Sequence, residues 1–186
     1  MSKILVVSGH PRLNQSLANK TILETLKDKG ADFTLLRLDE EGFAPQVEKD
    51  QALLKDADII VFQFPIFWYS YPSLMKHWVE EVFAHGFAYG TGGTALKEKK
   101  FQISFTTGSP ASAYRTGGPN GHPMEDFLYN FQQIAALCGM EYEEPIYTNG
   151  CAFIPGVSPE SVKERVIRDC RAHGEKLAQR LEELAK

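Results

Sequence analysis

A chain of 186 residues with 43% apolar and 24% charged side chains has the makeup of one globular domain, expected to span residues 1–186. Its formal charge of -4 gives no basic footprint for nucleic acid or an anionic membrane, and is too mild for a strongly acidic electron carrier. No window approaches the run of about 18 apolar residues that a membrane span needs, and the first apolar stretch is too short for a signal peptide, so a cytoplasmic protein is expected.

Residues 3–8, Lys-Ile-Leu-Val-Val-Ser, read as a buried strand. A turn through Gly9 and Pro11 follows, and Ser16 starts a helical pattern that Gly30 stops. A second strand covers 32–38, the stretch 39–48 is polar and irregular, and a short helix covers 49–56. The central strand, 58–64, is a near-continuous apolar run, as suits a strand buried on both faces of a parallel sheet. Pro65 ends it, because proline cannot donate to a ladder. Pro72 then pre-sets the first turn of a helix.

That helix carries Leu74, Met75, Trp78, Val79, Val82 and Phe83 in a stripe broader than one sheet face requires. Part of the stripe is expected to meet a second subunit. A glycine-rich excursion, 85–99, leads to a fourth strand at 100–106, and a long loop, 111–124, follows. Pro123 opens a helix that ends at Gly139. A fifth strand is expected over 141–147 and a last helix from Pro159. Five alternations predict an α/β, doubly wound, five-stranded parallel sheet of order 2-1-3-4-5 with helices on both faces.

Ligands of such sheets bind at the carboxyl edge, where the strand-to-helix loops converge. The loop 9–19 lacks the dinucleotide and P-loop glycine patterns, yet has a tight turn and a serine at a helix start. It is either an anion site or a plain N-cap. The loop Pro65–Tyr71 is either a platform for a flat conjugated ligand or a plug on the core. The turn Thr106-Thr-Gly-Ser109 offers hydroxyls beside a glycine that lets a ligand approach the backbone. Together the three suggest a flavin nucleotide. The histidines are scattered without metal-ligand spacing, and no G-x-S-x-G elbow marks a serine hydrolase. Cys138, Cys151 and Cys170 are widely spaced, and reduced structural thiols are expected.

The ordered set Gly9-His-Pro11…Ser16…Asn19, Phe64-Pro-Ile-Phe-Trp-Tyr-Ser70, Phe87-Ala-Tyr-Gly-x-Gly-Gly93 and Thr106-Thr-Gly108 resembles the flavodoxin-like NAD(P)H:quinone oxidoreductase family across nearly the whole chain. Thr107-Gly-Ser-Pro-Ala-Ser-Ala-Tyr-Arg115 and Pro123-Met124 are nearest the small bacterial branch. That branch includes ancillary oxidoreductases of glutathione-gated potassium efflux systems and modulator-of-drug-activity reductases. The resemblance implies FMN, with FAD as the alternative, and two-electron ping-pong transfer from NAD(P)H to a quinone or related electrophilic acceptor.

It also implies roles. His10, Ser16, Leu17, Ala18 and Asn19 match the segment holding the flavin phosphate and ribityl chain. Pro65, Ile66, Phe67 and Trp68 match the segment along the ring edge, and Thr106, Thr107, Gly108 and Ser109 the turn that hydrogen-bonds the ring. Tyr114 matches a charge-stabilising tyrosine of larger members. His122 stands in the right loop to be its catalytic partner, but at a different spacing, and a loop-packing histidine is the alternative. A homodimer is implied, with a membrane potassium antiporter as a partner of some relatives. A regulatory ancillary subunit and a flavodoxin-like electron carrier are the rival functions.

Overall fold

β-Branched and aromatic runs at β1 (Ile4–Ser8), β3 (Ile59–Pro65) and β4 (Lys100–Thr106) build the centre of the sheet in this computed structural model, which describes residues 2–186. Every residue of β3 is buried, the outcome its unbroken apolar run foretold. With β2 (Thr34–Arg37) and β5 (Glu141–Tyr142) the order is β2-β1-β3-β4-β5, all parallel.

The expected fifth strand is in fact two pieces. β5 stops at Tyr142, and β6 (Ile146–Thr148) resumes the pairing with β4. Tyr142 faces Phe101 and Ile146 faces Ser104, so the edge strand carries one residue more than its partner and bulges. Pro145 sits in the gap, where it has no N–H to give the ladder. The Gln102 side chain fills the break by donating to the Glu144 carbonyl at 2.9 Å.

Two helices cover one face, α1 (Leu17–Asp28) and α6 (Glu160–Leu184). On the other face lie α3 (Val47–Asp56), α4 (Ser73–Val82) and α5 (Tyr129–Cys138). The stretch expected to be irregular includes a single helical turn, α2 (Leu38–Glu41), whose Leu38 is buried. Pro72 is the N-cap of α4 rather than its first helical residue, and Pro123 caps a 3-10 turn (Met124–Phe127) instead of opening α5 directly.

The broad stripe of α4 is consumed within the chain. Leu74, Met75, Trp78, Val79, Val82 and Phe83 are all buried, so none is left for a second subunit. The reason is that α2, α3 and the excursion bearing Ala88 and Leu96 close over the helix. Phe62 meets Phe101 edge-on at 4.8 Å beneath it.

Candidate active site

Side-chain alternation along β1, β3 and β4 gives the two sheet faces different characters. Toward α3 to α5 point Val7, Phe62, Phe64, Ile103 and Phe105. Toward α1 and α6 the carboxyl halves carry Ser8, Gln63, Ser104 and Thr106, every one buried. A polar stripe therefore runs across the sheet just below its functional edge.

Most of the stripe is satisfied by one chain of hydrogen bonds. The Asn19 amide donates to Thr106 Oγ1 at 3.1 Å and accepts from Gln63 Nε2 at 2.8 Å. Ser104 donates to Gln63 Oε1, and its Oγ lies 2.7 Å from His173 Nε2. His173 Nδ1 lies 2.9 Å from Thr148 Oγ1. Because Ser104 has spent its proton on Gln63, His173 donates through Nε2 and accepts through Nδ1. Burial pushes His173 down to about 3, so it stays neutral. Thr106 Oγ1, an acceptor for Asn19, keeps its own proton free.

Above the stripe, the loop after β1 is pinned by Leu13 N–H to Asp39 at 2.9 Å and by Arg12 N–H to His10 Nδ1 at 3.0 Å. Accepting at Nδ1 places the neutral ring's proton on Nε2, and burial lowers the His10 pKa. Ser16 caps α1 by accepting from Asn19 N–H at 3.1 Å. The Leu17 and Ala18 N–H groups find no acceptor among the described residues. Ser16 is thus a plain N-cap in one bond and leaves an anion-ready pair of amides beside it.

The loop after β3 runs along the opposite wall. Ile66 N–H donates to the Thr106 carbonyl at 2.7 Å, and Phe67 and Ser70 pair backbone to backbone. Trp68 and Tyr69, the turn's two central residues, adopt positive φ of 49° and 67°. Non-glycine residues in that region store backbone strain. Tyr69 stacks on Phe127 at 5.5 Å, whereas Trp68 is 93% exposed.

The turn after β4 is laced to the loop after β6. Thr107 N–H donates to Thr148 O at 3.0 Å, Cys151 N–H to Thr107 O at 2.8 Å, and Gly150 N–H to Ser109 O at 2.8 Å. A Cβ on Gly108 would meet only Ala152 Cβ, at 3.7 Å, and its φ is not positive. Neither packing nor backbone geometry requires glycine there, so the room above it is available to an occupant.

These loops enclose a cavity of about 350 Å³. It gathers His10, Ser16, Leu17, Ala18, Asn19, Pro65, Ile66, Phe67, Thr106, Thr107 and Gly108, and adds Gln15, Cys151, Ala152 and Phe153. Sequence reasoning missed the segment Cys151–Phe153, although a fifth strand-to-helix loop must emerge at the same edge. Trp68 and Ser109 stand outside the lining, and so do Tyr114 and His122. Tyr114 and His122 flank Phe127 edge-on at 5.9 and 6.3 Å, and His122 Nδ1 lies 2.9 Å from Asp126. A more open groove of about 860 Å³ adjoins the cavity, sharing Gly108 and Ala152. It lacks the α1 N-terminus and the Pro65–Phe67 wall.

An anion grip at one end, an apolar wall along one side and a hydroxyl-lined turn on the other can take a phosphate ester bearing a flat ring. Comparison with known proteins points the same way. Residues 2–173 match the profile of a family described as having a flavodoxin-like fold. An uncharacterized NAD(P)H oxidoreductase, YrkL of Bacillus subtilis, is 37% identical over 167 residues, covering 89% of this chain and 95% of its own. The glutathione-regulated potassium-efflux system ancillary protein KefG of Yersinia enterocolitica is 39% identical over 145 residues, with 77% and 79% covered. The crystal structure of general stress protein 14 from Treponema denticola, in complex with FMN, is 29% identical with a TM-score of 0.83, covering 96% of this chain and 99% of that one.

Proposed function

The chain belongs to the flavodoxin-like fold family, and from that membership we infer that it is a flavin-dependent NAD(P)H:quinone oxidoreductase. The observation that carries this is the convergence of four carboxyl-edge loops on one cavity with unpaired α1 amides at one end and Gly108 at the other. FMN, when bound, supplies the two-electron relay between NAD(P)H and the acceptor.

The protein's part is binding, orientation and exclusion of water. Leu17 and Ala18 N–H, with His10 Nε2–H, hold the phosphate. Hydrogen bonds to a charged group contribute roughly 1.5–3 kcal/mol each, against about 0.3–1 for the helix dipole, so the donors decide the affinity. Pro65, Ile66 and Phe67 keep one side of the slot dry. The Thr106 hydroxyl, fixed by Asn19, and the Thr107–Gly108 backbone hold the polar edge. Asn19 acts through Thr106, since its buried amide is already engaged.

Tyr114 and His122 serve at the rim beside Phe127, Tyr114 by stabilising charge and His122 by handling a proton that Asp126 orients. Trp68 and Tyr69 stand out as a strained, exposed aromatic turn, and this turn is the contact we assign to a second copy of the chain. An acceptor such as a quinone fits a slot of this shape.

The purified protein should be yellow, release FMN on denaturation, and oxidise NAD(P)H with menadione along parallel double-reciprocal lines. A colourless protein that cannot be loaded with flavin would sink the reading. A second reading, an ancillary subunit on a potassium-efflux antiporter, is favoured by the similarity to KefG. No helix among the described residues is long and apolar enough to cross a membrane, so such an association would be through a partner. Co-purification with the antiporter tests it.

A further inference from the structure

Two of the three cysteines face each other at the wall of the cavity. Cys151 Sγ and Cys170 Sγ are 3.9 Å apart, both as free thiols. Cys151 belongs to the loop after β6 and lines the cavity, while Cys170 lies behind it, fully buried in α6. We propose that Cys151 and Cys170 are a redox-active dithiol, oxidised by a hydroperoxide that enters through the cavity.

The geometry assigns the two roles. Only Cys151 is reachable from the cavity, so it meets the oxidant, and Cys170 resolves. Residues 149–159 hold no regular secondary structure, and beyond its backbone N–H bond to Thr107 Cys151 has only long thiol contacts to the Thr148 and Asn149 carbonyls, at 3.5 and 3.9 Å. Side-chain rotation within that segment can bring the sulfurs from 3.9 Å to the roughly 2.05 Å of a disulfide. Electrostatics agree with the assignment. The Cys170 thiol hydrogen bond, aided by the Arg165 charge, draws Cys151 below the ordinary thiol range despite its burial. The same hydrogen bond and its burial push Cys170 up. Cys138, buried under α5 and pushed up to about 11, is a bystander.

The reaction balances without a further reactant. The Cys151 thiolate attacks one peroxide oxygen, the O–O bond breaks, and hydroxide leaves to take up a proton, giving a sulfenic acid on Cys151 and one water. The Cys170 thiol then loses its proton and attacks Cys151 Sγ. An S–S bond forms, the S–O bond breaks, and hydroxide departs to become water. Two thiols and one hydrogen peroxide give a disulfide and two waters. Closing the bond ties the cavity wall to α6. This chemistry does not depend on the flavin reading.

The test treats the protein with hydrogen peroxide, as purified and again after any flavin is stripped, then quenches and denatures it. Free thiols should fall from three to one in at least one state. The intact mass should drop by about 2 Da, and a Cys151–Cys170 peptide should appear that dithiothreitol reverses. The Cys170→Ser variant should instead carry a dimedone-reactive sulfenic acid at Cys151. Intermolecular disulfides, oxygen adducts retained on wild-type Cys151, or no thiol loss in either state would overturn the proposal. A colourless protein that still forms the bond would defeat the flavin reading and leave this one standing.

Discussion

At the scale of single residues, the cavity is marked by places where the chain departs from what its own packing needs. Gly108 is one. A methyl group there fits against Ala152 without strain, so Gly108→Ala should leave the melting temperature unchanged or slightly raised. It should weaken FMN binding about tenfold, roughly 1.4 kcal/mol, in a fluorescence titration. Equal affinity would mean that the glycine is not kept clear for the flavin. Trp68 is the other. It rests on nothing in its own chain and holds a φ of 49°. Trp68→Gly removes a left-handed strain of about 1–2 kcal/mol, so the dissociated chain should gain stability while NAD(P)H:menadione turnover falls. At a dilution that keeps the chain monomeric, an unfolding midpoint below wild type would show that Trp68 is packed in the isolated chain, against this reading.

Whole elements show which parts of the architecture could be read from residue order. The buried run 58–64 announced β3, and the alternation of strands and helices announced the sheet order, because burial on both faces and right-handed crossovers admit few alternatives. The split of the fifth strand was less visible, since Glu143 and Glu144 look like edge-strand polarity until the register shows the bulge. Three of the four site loops carried aromatic, glycine or capping signals. The fourth, Cys151–Phe153, carried none and was missed. Asn19 lines the cavity, and its burial and its bonds to Gln63 and Thr106 also tie it to the polar stripe beneath. The close seat of α6 on α1 was also invisible in the sequence. A Cβ on Gly174 would stand 2.7 Å from Thr25 Cβ and 2.9 Å from Ile22 O, contacts too short to keep. Gly174→Ala should therefore destabilise by about 1–3 kcal/mol in urea unfolding, despite alanine's better helix propensity. A stabilised variant would show that α1 and α6 are not in such close contact.

Across the whole molecule, two buried titratable groups on opposite faces of the sheet set opposing pH dependences. Asp50 of α3 is fully buried and accepts from Trp78 Nε1 at 2.7 Å. Burial, joined by the neighbouring Glu41 charge and hydrogen bond, raises its carboxyl to about 6. A folded value above the unfolded one means that the folded state holds a proton the unfolded state has released. Asp50 therefore adds stability as pH falls from about 6 toward 4. His173 of α6 behaves oppositely. Its folded pKa of about 3 lies below the ordinary 6.5, so the unfolded chain takes up a proton that the folded one refuses, and stability drains as pH falls below 6.5. Each contributes a slope of about 1 kcal/mol per pH unit between roughly pH 5 and 6, with opposite sign. From these two groups, wild-type stability should be nearly flat there. Asp50→Asn should uncover the histidine and make the protein weaken as the solution is acidified. His173→Gln keeps an amide donor for Ser104, loses some stability at every pH, and should strengthen on acidification. Urea unfolding of the three proteins between pH 5 and 6.5 reads both slopes. Parallel profiles would show that neither group titrates as its surroundings dictate, and a slope shared by the double variant and wild type is the signature expected of independent sites on the two faces.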